Sequence, residues 1–219
     1  MNYKFLVPAV FAVAMVFVIT SCRHDPYETG DGELSYLHTD YADVTVTDGK
    51  ITDITTDNNV SLNIKQGITI QSLASRDTTL RWLLYYNKVS ETQPVELVSY
   101  RNIYVMNAIP ASSLDEKKND PVKLTSVWVS PNRKYLNMHL GIMTGNAADN
   151  DSRQQLQIVC DSVSDIGRGT IFYSLYHNQN NIPEYYTQDV YLCTPYPAQD
   201  TISITLNTYS GSTTRRYYK

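Results

Sequence analysis

Apolar and polar residues alternate along most of this chain in short runs, and the alternation has the period of β-strands. Tyr41 to Thr47 carries Val44 and Val46 in alternation and is followed by Asp48-Gly49-Lys50, an Asp-Gly hairpin signal. Val60 to Ile64 alternates Val60, Leu62 and Ile64, and Gly67 to Leu73 repeats the pattern after a Gln-Gly turn. Leu80 to Tyr86 is nearly all apolar or aromatic, which predicts a strand covered on both faces. Pro94 to Ile109 is long and imperfectly alternating, and reads as one bent strand or two. Ala111 to Pro121 then breaks the pattern. It is charged and rich in small residues. Ser113 and Glu116 have capping-box spacing, but no apolar periodicity follows, so a loop is expected. Beyond it strands are predicted over Val122–Val129, Lys134–Ile142, Gln154–Ser162, Thr170–His177, Thr187–Cys193 and Thr201–Thr208. In the last of these Ile202, Ile204 and Leu206 share one face, while Thr201, Ser203 and Thr205 share the other. Strands at this spacing suit a sandwich or barrel.

The N-terminus has a different texture. Lys4 precedes fifteen uncharged residues, Phe5 to Ile19, and Thr20-Ser21-Cys22 follow. A basic end, an apolar run and small residues at the cut make an export signal. The run falls short of the ~20 residues that span a bilayer, and Pro8 interrupts it. Ile19-Thr20-Ser21-Cys22 resembles the lipobox of bacterial lipoproteins, which implies a signal peptide over 1–21 and acylation of Cys22, with palmitate-like chains on its thiol and amine. Stable anchoring takes at least two chains, and a triacylated Cys22 meets that requirement without help from the body. Residues 22–35, with Asp25, Pro26, Gly30, Asp31 and Gly32, are expected to form a flexible tether.

Composition sharpens the class. The chain holds 18 Tyr against 4 Phe, and Tyr, Val and Thr favour pleated surfaces, so the fold class is all-β. The formal charge of −4 becomes −5 once Lys4 leaves with the signal. Mild acidity without a long basic block argues against nucleic acid as a partner. With Cys22 lipidated, Cys160 and Cys193 remain as an even pair in an oxidising compartment, where they could form a disulfide or stay as two separate buried thiols.

No reaction is written in the motifs. His24 lies in the tether and His38 in a loop beside Thr39 and Asp40. His139 alternates with Leu136, Met138 and Leu140, and is expected to face solvent. His177 ends a strand beside Asn178 and is expected to face a turn. No His or Cys pair has zinc spacing, and Asp149-Asn150-Asp151 lacks the glycine and distant Glu of a calcium loop. The common hydrolase and phosphate-loop motifs are missing. No metal, cofactor or catalytic residue is expected. The doublets Tyr85-Tyr86, Tyr185-Tyr186 and Tyr217-Tyr218 offer aromatic faces for a carbohydrate or peptide, although a tyrosine on a β protein ordinarily packs its ring and leaves its hydroxyl wet. The basic residues around the last doublet, Arg215, Arg216 and Lys219, end the chain, where fraying is common.

The order of elements resembles the NigD-like lipoproteins of Gram-negative anaerobes. The parallel runs through Asn119-Asp120-Pro121-Val122 into Val127-Trp128-Val129, then Lys134-Tyr135-Leu136-Asn137-Met138, and again Ser174-Leu175-Tyr176-His177-Asn178. The resemblance implies an OB-like β-barrel domain over 36–110, a linker over 111–120 and a β-sandwich domain over 121–219. It implies no activity, cofactor or catalytic residue. Bacteria of this kind O-glycosylate exported proteins at Asp followed by Ser or Thr and then an apolar residue or Thr, which makes Thr78, Ser162 and Thr201 candidates. The expectation is a non-enzymatic protein, lipid-anchored in the cell envelope and most simply at the outer membrane. It would serve as a binding or accessory module for a carbohydrate or an envelope protein, in an oligomeric state the sequence leaves open. A fimbrillin-like adhesin subunit and an unrecognised glycan hydrolase are the alternatives.

Overall fold

The computed structural model describes residues 36–145, 153–164 and 168–218. Cys22, the signal, the whole of the tether and the Asp149-Asn150-Asp151 loop lie outside the described residues. From His38 onward the described residues belong to one unit.

The all-β expectation holds: the described residues form thirteen strands and two short 3-10 turns, in three sheets. The first sheet has the order β2-β1-β3-β4, from β1 (Leu37–Thr47), β2 (Lys50–Thr56), β3 (Thr78–Asn87) and β4 (Glu96–Asn102). The second, β5-β11-β8-β7, joins β5 (Tyr104–Val105), β7 (Lys123–Val129), β8 (Tyr135–Thr144) and β11 (Tyr186–Pro195). The third, β13-β12-β10-β9-β6, joins β6 (Ile109–Pro110), β9 (Gln155–Val163), β10 (Thr170–Asn178), β12 (Thr201–Thr208) and β13 (Gly211–Tyr218). None of the three closes into a barrel.

The Asp-Gly signal does mark a hairpin. Thr47 pairs with Lys50 around Asp48 and Gly49, whose φ angles of 48° and 76° are those a two-residue primed turn requires. The two runs expected as strands after it are not continuous strands. Residues 61–69 instead form isolated bridges, Ser61 to Thr55 on β2, Ile64 to Val95 just before β4, and Thr69 to Lys50, and Gln71–Leu73 is a 3-10 turn. That segment crosses from the free edge of β2 to the start of β4, so each part of it meets a partner only briefly. Its apolar residues still point inward: Leu62 joins Ala42, Val44, Val46, Ile54, Trp82, Leu84, Tyr86 and Val95 in one core.

Pro94 to Ile109 is divided among all three sheets as β4, β5 and β6, within fifteen residues. The second and third sheets share the other large core. Leu136, Met138 and Leu140 of β8 and Leu192 of β11 meet Tyr173 and Leu175 of β10 and Ile202, Ile204 and Leu206 of β12. Residues 111–121 are tied to this body at their far end. Asn119 bridges to His177 in parallel, and Val122 bridges to Thr208 and is fully buried.

The C-terminus differs from expectation. Gly211–Tyr218 is a full strand paired with β12 at eight positions, from Thr201↔Tyr218 to Thr208↔Gly211. Tyr217 turns inward and donates to the carbonyl of Val127 at 2.5 Å, so the segment read as a frayed tail is anchored by a hydrogen bond across to the second sheet.

Candidate functional site

Charged groups inside a protein are either paired or costly, so the buried ones are the first place to look for function. Arg81 stands in the middle of the apolar run Leu80-Arg81-Trp82-Leu83-Leu84 on β3. Alternation sends Trp82 and Leu84 into the core of the first sheet, and Arg81 and Leu83 to the opposite face. That face meets the second sheet: Leu83 packs with Ile103 and Cys193, with Tyr41, Tyr85, Tyr135 and Tyr191 around them. Arg81, its side chain 1% exposed, donates through Nη2 to Asp57 Oδ2 at 2.7 Å and to Asn137 Oδ1 at 3.2 Å, and through Nη1 to Asp43 Oδ1 at 3.2 Å. Asn137 Nδ2 donates in turn to Asp57 Oδ2 at 3.1 Å, and the Tyr135 ring lies 4.2 Å from the guanidinium carbon. Burial pulls the Arg81 pKa down, but the hydrogen bond and charge of Asp57, with Asp43 behind, outweigh it and hold the group above its ordinary value. The cluster joins β1, β3 and the turn after β2 to β8. Arg81 and Asp57 are buried, and Asp43, at the edge of the cluster, also meets the Lys134 ammonium at 3.3 Å, so the cluster fastens the fold.

His177 corrects an expectation. It is fully buried rather than turn-facing. Nδ1 lies 3.1 Å from the carbonyl oxygen of Asp120 and Nε2 lies 2.9 Å from Gln154 Oε1. Burial lowers its pKa, and the Asp120 carbonyl and charge offset only part of that. Asp120 Oδ2 accepts from the Gln179 backbone N–H at 2.7 Å. The imidazole therefore clasps residues 118–121 to the end of β10. His139 is half-buried on the outer face of β8, stacked on Tyr191 at 4.3 Å with Nε2 3.0 Å from Asp189.

Asp189 and Tyr191 stand at the rim of an open groove of about 530 Å³. Its floor is Met106, Ile142, Leu156 and Val190, and its walls carry Arg101, Asn102, Tyr104, Gln154 and Gln188. The Arg101 guanidinium sits 5.9 Å from the Tyr191 ring, and Tyr104 is 60% exposed. Among the described residues Asp189 is the one carboxylate in the lining, so they give this groove no carboxylate pair for glycoside hydrolysis. A second hollow, about 470 Å³, is polar and holds Asp120 and Glu184. Asp120 is engaged as described, and Glu184 accepts from the Tyr209 hydroxyl at 3.2 Å. Among the described residues no three His, Cys, Asp or Glu side chains cluster to hold a metal ion. The arrangement can bind; among the described residues no nucleophile is set against a base in either hollow.

The residues singled out from sequence do not converge. Cys160 and Cys193 are free thiols, which corrects the disulfide option. Cys160 on β9 packs against the core between the second and third sheets, whereas Cys193 on β11 faces the opposite side, against Leu83 and Ile103. The four-stranded sheet lies between them. Burial pushes the Cys193 thiol up to about 11, with Arg81 nearby pulling the other way. Thr78 opens β3 and Thr201 opens β12, both half-buried, while Ser162 is exposed on β9. Arg81, Asp57, Asn137 and the groove were not singled out. The usable signal was a lone arginine inside an apolar strand.

Solved structures share this fold. A NigD-like immunity protein from Bacteroides caccae is 25% identical, with a TM-score of 0.59, over 82% of this chain and 91% of that one. A protein of unknown function, DUF1344, from Bacteroides vulgatus aligns at a TM-score of 0.66 and 15% identity, over 84% and 90%. A candidate lipoprotein from Bacteroides fragilis aligns at 0.58 and 13%, over 84% and 98%. No protein-family model and no curated protein matches. The NigD-like resemblance read from the sequence is borne out by these structures. None of the three is named for an enzymatic activity.

Proposed function

We propose that the chain is a non-enzymatic lipoprotein of a Gram-negative envelope, held in the outer membrane by acylated Cys22 and serving as a binding or accessory module. Its N-terminal half would be an OB-like domain and its C-terminal half a β-sandwich. One observation carries the binding role. The buried ionisable clusters at Arg81 and His177 are consumed in fastening the fold, whereas the groove beside Tyr191 leaves aromatic, cationic and apolar groups open together. An envelope protein or a carbohydrate would be the ligand. The name of the Bacteroides caccae relative, an immunity protein, favours a protein partner.

The anchor is tested by metabolic labelling with an alkyne fatty acid. Wild type should take up label and sediment with outer membranes, and Cys22→Ala should be unlabelled and released while still folded. A membrane-bound Cys22→Ala protein would overturn the anchor. A glycan array probed with the mature chain tests carbohydrate as ligand.

A further inference from the structure

We infer that the groove beside β11 seats an extended peptide of a partner protein, added as a strand to the open edge of β11 and carrying an acidic side chain to Arg101. This deepens the binding role proposed above and rests on it.

Hydrogen bonds left unmade mark the lane. β11 is paired with β8 along its whole length on one side, but on the other β5 covers only Leu192 and Cys193. Met106 N–H donates to the Cys193 carbonyl at 2.8 Å, so the peptide groups of Cys193 face the β5 side. Alternation along a strand turns those of Asp189 and Thr187 the same way. Among the described residues no backbone group pairs with them there. An edge of this kind is a template for another chain. Tyr104 and Val105 already occupy the upper part of the lane, which shows that it accepts a strand.

The walls of the lane select the occupant. Its inner side is Met106, Ile142, Leu156 and Val190, where the shared core of the second and third sheets comes to the surface. Apolar side chains of an alternating peptide fit that wall. On the outer side Arg101 has no carboxylate partner among the described residues, while Asp189 is engaged by His139. An unpaired backbone edge, an apolar wall on one side and an available cation on the other are the elements of recognition by strand addition. The peptide they fit alternates apolar residues with at least one Asp or Glu.

The test is to pan a displayed library of random dodecapeptides against the mature lipidated chain in detergent. Enriched peptides should alternate apolar and acidic residues. Asp189→Pro removes the outward N–H at a position where an edge strand tolerates proline, and should weaken them by roughly tenfold or more. Asp189→Ala removes the same carboxylate but keeps that N–H, so it should bind roughly tenfold or more tighter than Asp189→Pro. Arg101→Glu should also weaken binding by roughly tenfold. Bound peptide should slow hydrogen exchange at the Asp189 amide, a readout that holds even if a variant folds poorly. Failure to enrich any peptide, or peptides indifferent to Arg101→Glu that leave Asp189 exchange unchanged, would overturn the inference. A glycan that occupies the groove instead would also overturn it, yet would leave the binding role standing.

Discussion

Arg81 Nη2 lies 2.7 Å from Asp57 Oδ2, and Asn137 of the second sheet bonds to both partners. The pair therefore fastens β3 and the turn after β2 to β8 with charge that water does not reach. Removing one member should be far worse than removing two. Arg81→Met, which strands Asp57, is expected to cost about 3–5 kcal/mol. The double variant Arg81→Met with Asp57→Leu should recover a large part of that loss. Arg81→Lys gives up the forked geometry and the face of Tyr135, so it should recover little. Urea unfolding of the four proteins decides. A single variant no less stable than the double would mean that the ion pair holds nothing together.

Acid should weaken the fold through His177. Burial lowers its folded pKa below the 6.5 of an ordinary imidazole. The unfolded chain then binds the extra proton more readily, and stability rises with pH across the interval between the two values. Stability should begin to fall as pH drops through about 6.5, and should keep falling until the folded pKa is passed. His177→Gln should flatten that part of the profile. Both ring nitrogens face acceptors, so a stability that grew towards pH 5 would show instead that both donate and that the buried ring is charged.

Gly49 has two reasons to remain glycine. Its φ is +76°, and a Cβ there would come 2.9 Å from the Cα of Ala74. Gly49→Ala is expected to lower stability by roughly 1–3 kcal/mol, with Asp48→Gly as the mild control in the same turn. Thermal unfolding of both reads the difference. Equal melting temperatures would remove the steric argument.

Cys193 should be silent in the folded protein. It is fully buried, with its thiol pushed up to about 11. A thiol reagent at pH 8 should modify it only on unfolding, and intact mass should show Cys160 and Cys193 both reduced. A bridge between them in the folded protein would contradict the placement of Cys160 on β9 and Cys193 on the far face of β11.

Legibility followed the range of the interaction. The alternation of Leu136, Met138 and Leu140, and of Ile202, Ile204 and Leu206, announced both strands and the faces they bury. Asp48-Gly49 announced its turn. Each of these is written in neighbouring residues. His177 was misread because Asn180 and Asn181, just beyond it, do belong to a turn, while the groups that enclose it come from Asp120 and Gln154. Arg215, Arg216 and Tyr217 were misread as a fraying end because Val127, the anchor for Tyr217, is 90 residues away.

By itself the sequence determined the all-β class, most of the strand positions and the family resemblance, and it is the ground for the proposed anchor at Cys22. These depend on periodicity, composition and short motifs, which act over a few residues. Only the tertiary structure decided that β4, β5 and β6 serve three different sheets, that Arg81 meets Asp57 and Asn137, that Cys160 and Cys193 lie on opposite sides of a sheet, and that β5 pairs with β11 at Leu192 and Cys193 alone. A strand's side-chain pattern specifies which face is buried, but it does not name the partner that buries it. That choice is made between segments dozens of residues apart, where burial and charge pairing are settled together.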